Sequence, residues 1–532
     1  MSVQEWLAHD PDPGSAAELA ACSDDELADR FAQTLTFGTA GLRGPLRAGP
    51  NGMNLAVVLR ATWALGTVLK ERDLAGSTVV VGYDARHRSA EFGRAAAGVL
   101  AAQGFSVTLM FMPAPTPVVA YAVRSLGAAA GVQITASHNP PSDNGYKVYL
   151  SGGLQIVSPT DRDIENAIAT APYADEIPRQ PVTATGADLV RGYVERAATV
   201  RRTVGSLRVA LTPMHGVGGE LALDALALAG FSDVHVVSQQ FAPDPDFPTV
   251  AFPNPEEPGA SDLLLALAAD VDADLAIALD PDADRCAIGI PTPSGWRMLS
   301  GDETGWLLGD YVLSTCAVDR PVVASTVVSS RMLASIAAAH DARHVETLTG
   351  FKWLARADFE VDGTLVYAYE EAIGHCVDPE AVRDKDGISA AVLACDLVVA
   401  LRDRGMTVLD ALDELARRHG VHTTTAVTHR VSSAGEAAEL MGRLRTSPPK
   451  AIAGFEVIVE DLSPHTDALV FTGGDDAAAV RVVVRPSGTE PKLKCYIEIR
   501  CAGELGDARS RAAALQESVA AEIAFHARQS AS

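Results

Sequence analysis

A strand followed by a helix and a second strand occurs three times in this chain of 532 residues, and this pattern restricts the fold more than any other feature. The first copy has a predicted strand from Thr78, a helix over 90–103 and a strand over 106–110. The other copies begin at Arg208 and Pro321. Strands that alternate with helices favour parallel sheets covered by helices. We therefore predict an α/β fold with three similar three-layer αβα domains and mixed, mainly parallel sheets.

The C-terminal part of the chain has a different pattern. Its predicted strands cover 423–431, 455–460, 478–485 and 493–500, with one helix between the first two strands and another at the end of the chain. Successive strands without crossover helices favour antiparallel pairing, so we predict a smaller α+β domain here. The predicted domains are 1–205, 206–318, 319–430 and 431–532.

A loop that contains Ser137 is the first candidate site. An apolar run over 128–134 predicts a buried strand, and Pro140 and Pro141 end the stretch that follows it. Ser137 is therefore expected at the carboxyl end of a strand, where open α/β sheets place their chemistry, with its hydroxyl exposed. By itself the stretch is more typical of a polar turn, and the rest of the chain decides between the two interpretations.

Three alternating carboxylates follow another apolar strand, over 275–279. In an extended loop, Asp280, Asp282 and Asp284 would face the same way and repel each other unless a cation lies between them. Oxygen ligands of this kind suit Mg²⁺. A calcium-binding EF-hand is excluded, because Arg285 occupies the position that needs Gly. Arg285 could balance the charge of the acids or reach a phosphoryl oxygen.

Several other loops carry groups that could bind a phosphorylated sugar. Arg43 lies among small residues that could direct it into an anion site, although a plain glycine turn explains them equally well. Glu370 and Glu371 end a predicted strand and could accept hydrogen bonds from sugar hydroxyls or begin a helix. Lys385 lies between acids in a turn. The loop 485–492 combines Arg, Ser, Thr and Lys around a glycine, which favours a site for a phosphate group.

Only seven of the 43 basic residues are Lys. Two of them, Lys70 and Lys450, are consistent with solvated surfaces. The other five are predicted in loops marked by Gly or Pro, at positions 147, 352, 385, 492 and 494. Lysine and arginine differ as phosphate ligands, so these five are candidates for a functional role.

Composition excludes several other classes of protein. A net charge of −25 argues against non-specific binding of nucleic acid. No predicted segment is long and apolar enough for a membrane span, and no signal peptide is evident. The seven Cys form no CxxC pair, which fits a reduced, cytoplasmic protein. The chain has neither a Walker A motif nor a dinucleotide fingerprint.

Four motifs together resemble the α-D-phosphohexomutase family. They are Thr135–Pro140, Asp280–Arg285, Glu370–Gly374 and Arg485–Pro491, in this order and at these separations. The loops at 38–44 and 349–353 resemble the phosphoglucomutase-2-like branch of phosphoglucomutases and phosphomannomutases. The resemblance spans nearly the whole chain, and it implies four domains, three alike and a smaller mobile fourth, around one central cleft.

The resemblance also implies roles for individual residues. Ser137 would be the phosphoserine that transfers the phosphoryl group, and one of its oxygens would bind Mg²⁺ together with Asp280, Asp282 and Asp284. Lys147 is the candidate for proton transfer, and Arg43 is a further basic group at the catalytic centre. The substrate-binding set consists of His138, Arg285, Gly350, Lys352, Glu370, Glu371, Lys385, Arg485, Ser487, Gly488 and Thr489.

The implied activity is that of a phosphosugar mutase that interconverts glucose 1-phosphate and glucose 6-phosphate through a phosphoserine and a bisphosphate intermediate. A sugar 1,6-bisphosphate is the expected activator, small sugar phosphates are the expected partners, and the chain is expected to be a monomer or homodimer. Ala372 replaces a Ser that is usual in the family's sugar loop. Phosphomannomutase, phosphopentomutase and hexose-bisphosphate synthase activities therefore stay open. A phosphatase and a non-catalytic sugar-phosphate sensor are the alternatives from other classes.

Overall fold

The computed structural model describes residues 2–38, 41–431, 434–486 and 492–529. Ser487, Gly488 and Thr489 of the predicted phosphate-binding loop lie outside the described residues. Three α/β units and a C-terminal antiparallel sheet follow each other along the chain, which confirms the predicted fold class. The predicted boundaries at 205, 318 and 430 stay predictions.

The first unit contains a mixed sheet in the order β1-β5-β4-β2-β3-β7, with β6 paired to β5. Strands β4, β2, β3 and β7 are parallel, and β5 runs antiparallel to both β4 and β1. The strands are β1 Leu42–Pro45, β2 Thr78–Tyr83, β3 Ser106–Met110, β4 Ala130–Ile134, β5 Asp143–Leu150, β6 Leu154–Gln155 and β7 Ala184–Thr185. The helices are α1 Val3–His9, α2 Ser15–Ala20, α3 Asp24–Ala32, α4 Leu55–Glu71, α5 Ser89–Ala102, α6 Thr116–Ser125, α7 Thr160–Ala169 and α8 Ala187–Ala198.

The second unit has the sheet order β12-β11-β10-β8-β9, in which β10, β8 and β9 are parallel. Its strands are β8 Arg208–Thr212, β9 Asp233–Val236, β10 Leu275–Leu279, β11 Cys286–Thr292 and β12 Gly295–Met298. Its helices are α9 Gly219–Leu228, α10 Ser238–Phe241 and α11 Asp262–Asp270. Every residue of β10 is buried, as expected for a central parallel strand that is covered on both faces.

The third unit has the sheet order β14-β13-β15-β16, in which only β16 is antiparallel to its neighbour. Its strands are β13 Pro321–Thr326, β14 Arg343–Thr347, β15 Thr364–Glu370 and β16 Gly374–Cys376. Its helices are α12 Gly301–Ser314, α13 Met332–Ala339, α14 Phe351–Leu354, α15 Gly387–Asp403 and α16 Val408–His419. Helix α12 begins with a capping box in which Ser300 and Glu303 satisfy each other's backbone amides.

The C-terminal unit is an antiparallel sheet in the order β17-β22-β21-β20-β19-β18. Its strands are β17 Val421–Arg430, β18 Ala451–Ile452, β19 Phe455–Asp461, β20 Leu469–Gly474, β21 Ala478–Pro486 and β22 Lys492–Cys501. Its helices are α17 Ala434–Thr446 and α18 Leu505–Gln529. Sequence analysis did not predict β20, a six-residue strand that ends in two glycines.

One of the hydrophobic cores extends through all three α/β units, beside further clusters within the single units. It continues from Val119 on α6 through Leu279 on β10 to Val392 on α15. The C-terminal sheet has a core of its own and adds a small cluster against Val327 and Val328 of the third unit. A shared core fixes the loops at the junction of the three units relative to one another. Among the described residues, no helix is both long and apolar enough to cross a bilayer.

Candidate active site

Ser137 lies directly after β4, in the loop that sequence analysis indicated. Its side-chain hydroxyl donates to Asp280 Oδ2 at 2.8 Å and lies 3.2 Å from His138 Nδ1. The residue has a φ of 52°, an uncommon conformation for a non-glycine residue and one that often marks functional loops. The predicted exposure of the hydroxyl is wrong, because Ser137 is only 1% exposed beneath the second unit.

Arg86 holds the backbone of this loop in place. Its guanidinium donates to the carbonyl oxygens of Ser137 and Asn139, both at 2.5 Å, and to that of Pro140 at 2.8 Å. Asp84, at the carboxyl end of β2, lies 3.5 Å from Arg86 Nε. Ser137 is therefore positioned by a buried arginine that sequence analysis did not single out.

We expect Arg86→Lys to lower turnover by roughly 10- to 100-fold, because one ammonium nitrogen with three N–H donors cannot replace two guanidinium nitrogens that contact four carbonyl oxygens. Each charged hydrogen bond that is lost contributes about 1.5–3 kcal/mol. The decrease should affect kcat more than KM, since Arg86 contacts the loop backbone. Steady-state kinetics beside the exposed control Arg94→Lys tests this prediction. Wild-type kcat in the Arg86 variant would show that the loop keeps its shape without the guanidinium.

The acidic residues 280–284 form a turn after β10 and not the extended loop that the alternation predicted. Ala283 has a φ of 53°, and its amide donates to the carbonyl of Asp280 at 2.9 Å. The turn brings one oxygen each of Asp280, Asp282 and Asp284 within 4.8 Å of one another, and all three residues are buried. The convergence is as predicted, although the backbone geometry differs.

Two lysines surround the acidic cluster. Lys147 Nζ donates to Asp282 Oδ2 at 2.7 Å and to Asp284 Oδ2 at 2.8 Å. Burial by itself would lower the pKa of Lys147, but the two carboxylates outweigh it and the pKa is raised. Lys385 Nζ lies 3.4 Å from Asp284 and 3.7 Å from Glu370. The predicted loop position is wrong for Lys147, which lies inside β5, the strand that pairs with the β4 strand before Ser137. It is also wrong for Lys352, which lies on α14, and for Lys492 and Lys494, which lie on β22.

The donor set of the cluster fits a divalent cation. Oδ1 of Asp282 and Oδ1 of Asp284 are buried and have no hydrogen-bond partner among the described residues. Three carboxylates and the adjacent Ser137 hydroxyl supply the oxygen ligands that Mg²⁺ prefers. The ammonium of Lys147 now supplies positive charge to the same two carboxylates.

Further basic groups face the cluster. Burial lowers the pKa of Arg43, while the charges of Asp282 and Asp284 raise it, with a net decrease. Arg43 Nε is buried and has no partner in the part of the chain that the structure describes, so it can still donate to a ligand. Arg285 lies 3.4 Å from Glu256 and 3.9 Å from Asp284. Burial, followed by the positive charge of Arg285, lowers the pKa of His138.

The predicted sugar loop connects β15 and β16. Glu370 is buried beside Lys385. Glu371 Oε2 accepts from Ser329 Oγ at 3.0 Å and from Thr326 Oγ1 at 3.2 Å. Burial, reinforced by the charge of Glu370, raises the pKa of Glu371 to about 7. Glu370 therefore lies at the acidic cluster, whereas Glu371 is directed into the third unit.

Some predicted residues lie away from the acidic cluster. Gly350 precedes α14 with a φ of 112°. Lys352 on α14 interacts with Asp161 and Arg356, and burial lowers its pKa. Arg485 lies at the end of β21 in the C-terminal sheet, and the loop that follows it is outside the described residues.

The structure adds Thr116 to the site. Thr116 begins α6, and its hydroxyl donates to Asp282 Oδ2 at 2.6 Å. Its amide donates to the carbonyl of Asp282 at 2.9 Å, which ties the first unit to the acidic turn. Sequence analysis missed Arg86 and Thr116, although their positions could have indicated them. Arg86 follows strand β2 and Thr116 follows strand β3, at the sheet edge where functional loops lie in α/β folds.

Models of known protein families match four successive parts of this chain, and all four models describe the same family. Models described as phosphoglucomutase/phosphomannomutase alpha/beta/alpha domains I, II and III match residues 34–175, 191–292 and 300–419, and the model of the C-terminal domain of the same family matches residues 449–515.

Individual relatives carry several substrate names. A protein named as a probable phosphomannomutase from Haemophilus influenzae is 41% identical over 84% of this chain and 93% of its own length. A phosphopentomutase from Mus musculus is 34% identical over 93% of this chain and 89% of its own length. A phosphoglucomutase from Staphylococcus aureus is 31% identical over 90% of this chain and 91% of its own length.

Solved structures share the fold at lower identity. Parafusin, a phosphoglucomutase from Paramecium, gives a TM-score of 0.71 at 18% identity, over 93% of this chain and 96% of that chain. A phosphoglucomutase/phosphomannomutase family protein from Burkholderia thailandensis gives 0.70 at 20% identity, over 90% of this chain and 95% of that chain.

Proposed function

Since this chain belongs to the phosphoglucomutase/phosphomannomutase family of phosphosugar mutases, we propose that it interconverts glucose 1-phosphate and glucose 6-phosphate through a phosphorylated Ser137. The observation that carries the proposal is the buried contact of 2.8 Å between Ser137 Oγ and Asp280, inside the cluster of three carboxylates. A hydroxyl in this position can carry a phosphoryl group beside a cation site.

The first step transfers the phosphoryl group from Ser137 to a hydroxyl of the sugar monophosphate. The bond between phosphorus and Ser137 Oγ breaks and a bond to the sugar oxygen forms. The sugar hydroxyl loses its proton, and Ser137 Oγ gains one and returns to a hydroxyl. Asp280, Asp282, Asp284 and a Ser137 oxygen are the proposed ligands of Mg²⁺, which when bound neutralises charge on the transferring group. The product is a sugar bisphosphate, which reverses its orientation and returns its other phosphate to Ser137.

Lys147 is the proposed proton acceptor. Its amine lies in the cluster and donates to Asp282 and Asp284, so it must give up one of these hydrogen bonds and pass a proton to the departing Ser137 Oγ before it accepts the proton of the sugar hydroxyl. Arg43, with an unpartnered Nε, and Lys385 are proposed contacts for phosphate oxygens. Glu370 is the proposed acceptor for sugar hydroxyls. The loop from Arg485 is proposed to hold the non-reacting phosphate in either orientation.

A mutase differs from a phosphatase in the fate of the phosphoryl group. Burial of Ser137 at the junction of the units limits access of water to it, which favours transfer to a bound sugar over hydrolysis. The test is a panel of glucose, mannose and ribose 1-phosphates, each with a trace of the corresponding bisphosphate. Isomerisation without release of inorganic phosphate supports the mutase, and release as the main outcome supports a phosphatase.

Pentose phosphates are the second candidate substrates. Ala372 lies on the wall of a cavity of about 600 Å³ and offers no hydroxyl there. Without this hydroxyl the protein loses one hydrogen bond that would favour a hexose phosphate over a pentose phosphate. Relatives named phosphopentomutase, among them the Mus musculus protein, support the same candidate.

We expect Ala372→Ser to raise kcat/KM for glucose 1-phosphate relative to ribose 1-phosphate by about 5-fold, because one added hydrogen bond contributes about 1 kcal/mol. The ratio from the substrate panel measures the effect, and Ala381→Ser, outside the lining of the cavity, is the matched control. An unchanged ratio would mean that this position does not contact the sugar.

A further inference from the structure

The backbone of the acidic turn over 280–284 is held by all three α/β units. Three consecutive carbonyl groups of the turn each accept a hydrogen bond from an amide of a different unit. The amides are those of Val217 in the second unit, Thr116 in the first and Gly387 in the third, which donate to the carbonyls of Pro281, Asp282 and Ala283 at 2.8, 2.9 and 3.0 Å. The positions of the three carboxylates therefore depend on the place where the units meet and not on the turn alone.

Glycines of two units contact this turn where a side chain does not fit. A Cβ on Gly218 would lie 2.5 Å from the Cβ of Ala283, whereas non-bonded carbon atoms pack at about 3.5–4.0 Å. A Cβ on Gly387 would lie 2.8 Å from the carbonyl oxygen of Ala283. A Cβ on Gly216 would overlap with the backbone of Pro281. The turn is thus packed against main chain from two units.

Close approach, and not an unusual backbone conformation, explains two of these glycines. Gly218 precedes α9 with a φ of −84° and a ψ of −13°, in a region that alanine adopts readily. Gly387 is the first residue of α15, so its conformation is helical as well. An alanine at either position would cause little backbone strain of its own, but its Cβ would displace the acidic turn.

Ala283 is the residue that such a displacement affects first. It is fully buried, and its φ of 53° is unfavourable for alanine, so this conformation persists only where the surrounding structure holds it. It lies between Asp282 and Asp284, two members of the carboxylate cluster. A rotation of the Ala283 backbone would move these two carboxylates apart.

We propose that Gly218 and Gly387 are positioning residues of the cation site, which hold Ala283 from two sides and keep Asp282 and Asp284 converged before the cation binds. The proposal rests on the proposed function, because that function assigns Mg²⁺ to this cluster. Mg²⁺ requires nearly ideal octahedral geometry, so small shifts of its ligands lower its affinity. Groups that orient metal ligands typically contribute about 10- to 100-fold to metal affinity.

The test moves a Cβ from one side of the contact to the other. Gly218→Ala adds a Cβ opposite Ala283, and Ala283→Gly removes the Cβ that it meets, so the double variant has a single Cβ at this contact, as the wild-type protein has. Glycine also adopts the φ of position 283 without strain. The next closest atom, Leu279 Cδ1 at 3.1 Å, ends a flexible side chain and can move.

Gly387→Ala tests the same turn from the third unit. Gly442→Ala is the matched control, since Gly442 lies in α17 and no described atom lies within 4 Å of a Cβ placed there. Thermal unfolding over a series of MgCl₂ concentrations, without sugar, gives the Kd of Mg²⁺ for each protein. Each protein is compared with its own metal-free form, so a change in the stability of the metal-free fold does not enter the result.

We expect Gly218→Ala and Gly387→Ala each to raise the Kd of Mg²⁺ by roughly 10- to 100-fold, because the carboxylates no longer converge. The double variant Gly218→Ala/Ala283→Gly and the control Gly442→Ala should stay within about 3-fold of the wild-type Kd, because neither crowds the turn. Recovery in the double variant distinguishes a positioning role from a general loss of packing, since the double variant removes a further side-chain atom from the core.

The outcomes separate this proposal from the proposed function. A wild-type Kd in Gly218→Ala or in Gly387→Ala would overturn the role of that glycine, and a double variant that binds Mg²⁺ as weakly as Gly218→Ala would overturn the contact with Ala283. A wild-type protein that Mg²⁺ does not stabilise would overturn the cation site and this role with it. A protein that shows the expected pattern of Kd values and isomerises no sugar of the panel would overturn the proposed function alone.

Discussion

Ser137→Ala is expected to lower mutase turnover by on the order of 10⁴-fold or more, because removal of a covalent carrier eliminates the step that every other catalytic group serves. The variant should still fold. The Ser137 side chain is small, and loss of its hydroxyl leaves the hydrogen bonds from Arg86 to the loop carbonyls in place. The expected result is a folded protein that binds sugar phosphate and does not isomerise it.

Intact mass spectrometry provides a second readout. The wild-type protein should gain the mass of one phosphoryl group after incubation with a hexose 1,6-bisphosphate, and Ser137→Ala should gain none. Ser142→Ala is the matched control, because Ser142 is exposed in the same loop and its hydroxyl contacts only Asp143 among the described residues. Turnover near the wild-type level in Ser137→Ala would contradict the phosphoserine mechanism, and a wild-type protein that cannot be phosphorylated would favour a sugar-phosphate sensor.

Local patterns along the chain predicted the order of the elements. The predicted strand over 106–110 coincides with β3, and the predicted helix over 90–103 differs from α5 by one residue at each end. Alternation of apolar strands with helices identifies such elements because each depends on residues close in sequence. Strand β20 was missed because its short apolar run ends in glycines, which weaken the signal.

The contacts that define the site are not local. Lys147 and Asp282 are 135 positions apart, and Thr116 and Asp282 are 166 apart, so no periodicity connects them. The sequence indicated that Ser137 and the acids lie at the carboxyl ends of strands. It did not indicate that a neighbouring unit covers Ser137, so the prediction of an exposed hydroxyl was wrong. Burial in such cases depends on how the units pack, and the packing follows from the shared core.

The backbone conformation of the acidic turn could not be predicted from the sequence either. Alternating carboxylates predicted a common direction in an extended loop, whereas the chain reaches the same convergence through a left-handed Ala283. Chemistry favoured the convergence, since three buried carboxylates next to an apolar strand require a compensating charge. The sequence pattern did not predict the turn, because Ala rarely adopts a positive φ and nothing in the neighbouring residues indicates it at Ala283.

The predicted cation site leads to the second large effect. Asp280→Asn is expected to lower turnover by on the order of 10³-fold, because a carboxylate ligand and its charge are lost where the phosphoryl group is transferred. Thermal stability without metal should not fall. The substitution keeps the size of the side chain and an oxygen that can accept from Ser137, and it removes one of three buried negative charges that repel each other.

In Asp280→Asn, turnover should fall while the thermal stability of the metal-free protein does not, so this prediction differs from that for a variant that is simply misfolded. At a Mg²⁺ concentration of about 100 times its Kd, a bound ion should stabilise the wild-type protein by about 2.7 kcal/mol, and Asp280→Asn should lose most of that gain. Thermal unfolding with and without Mg²⁺ measures it, beside the control Asp270→Asn at the exposed end of α11. If Mg²⁺ stabilises Asp280→Asn as much as the wild-type protein, the ion binds elsewhere. If the metal-free variant is less stable than the metal-free wild-type protein, the neighbouring cations already neutralise the charge of Asp280.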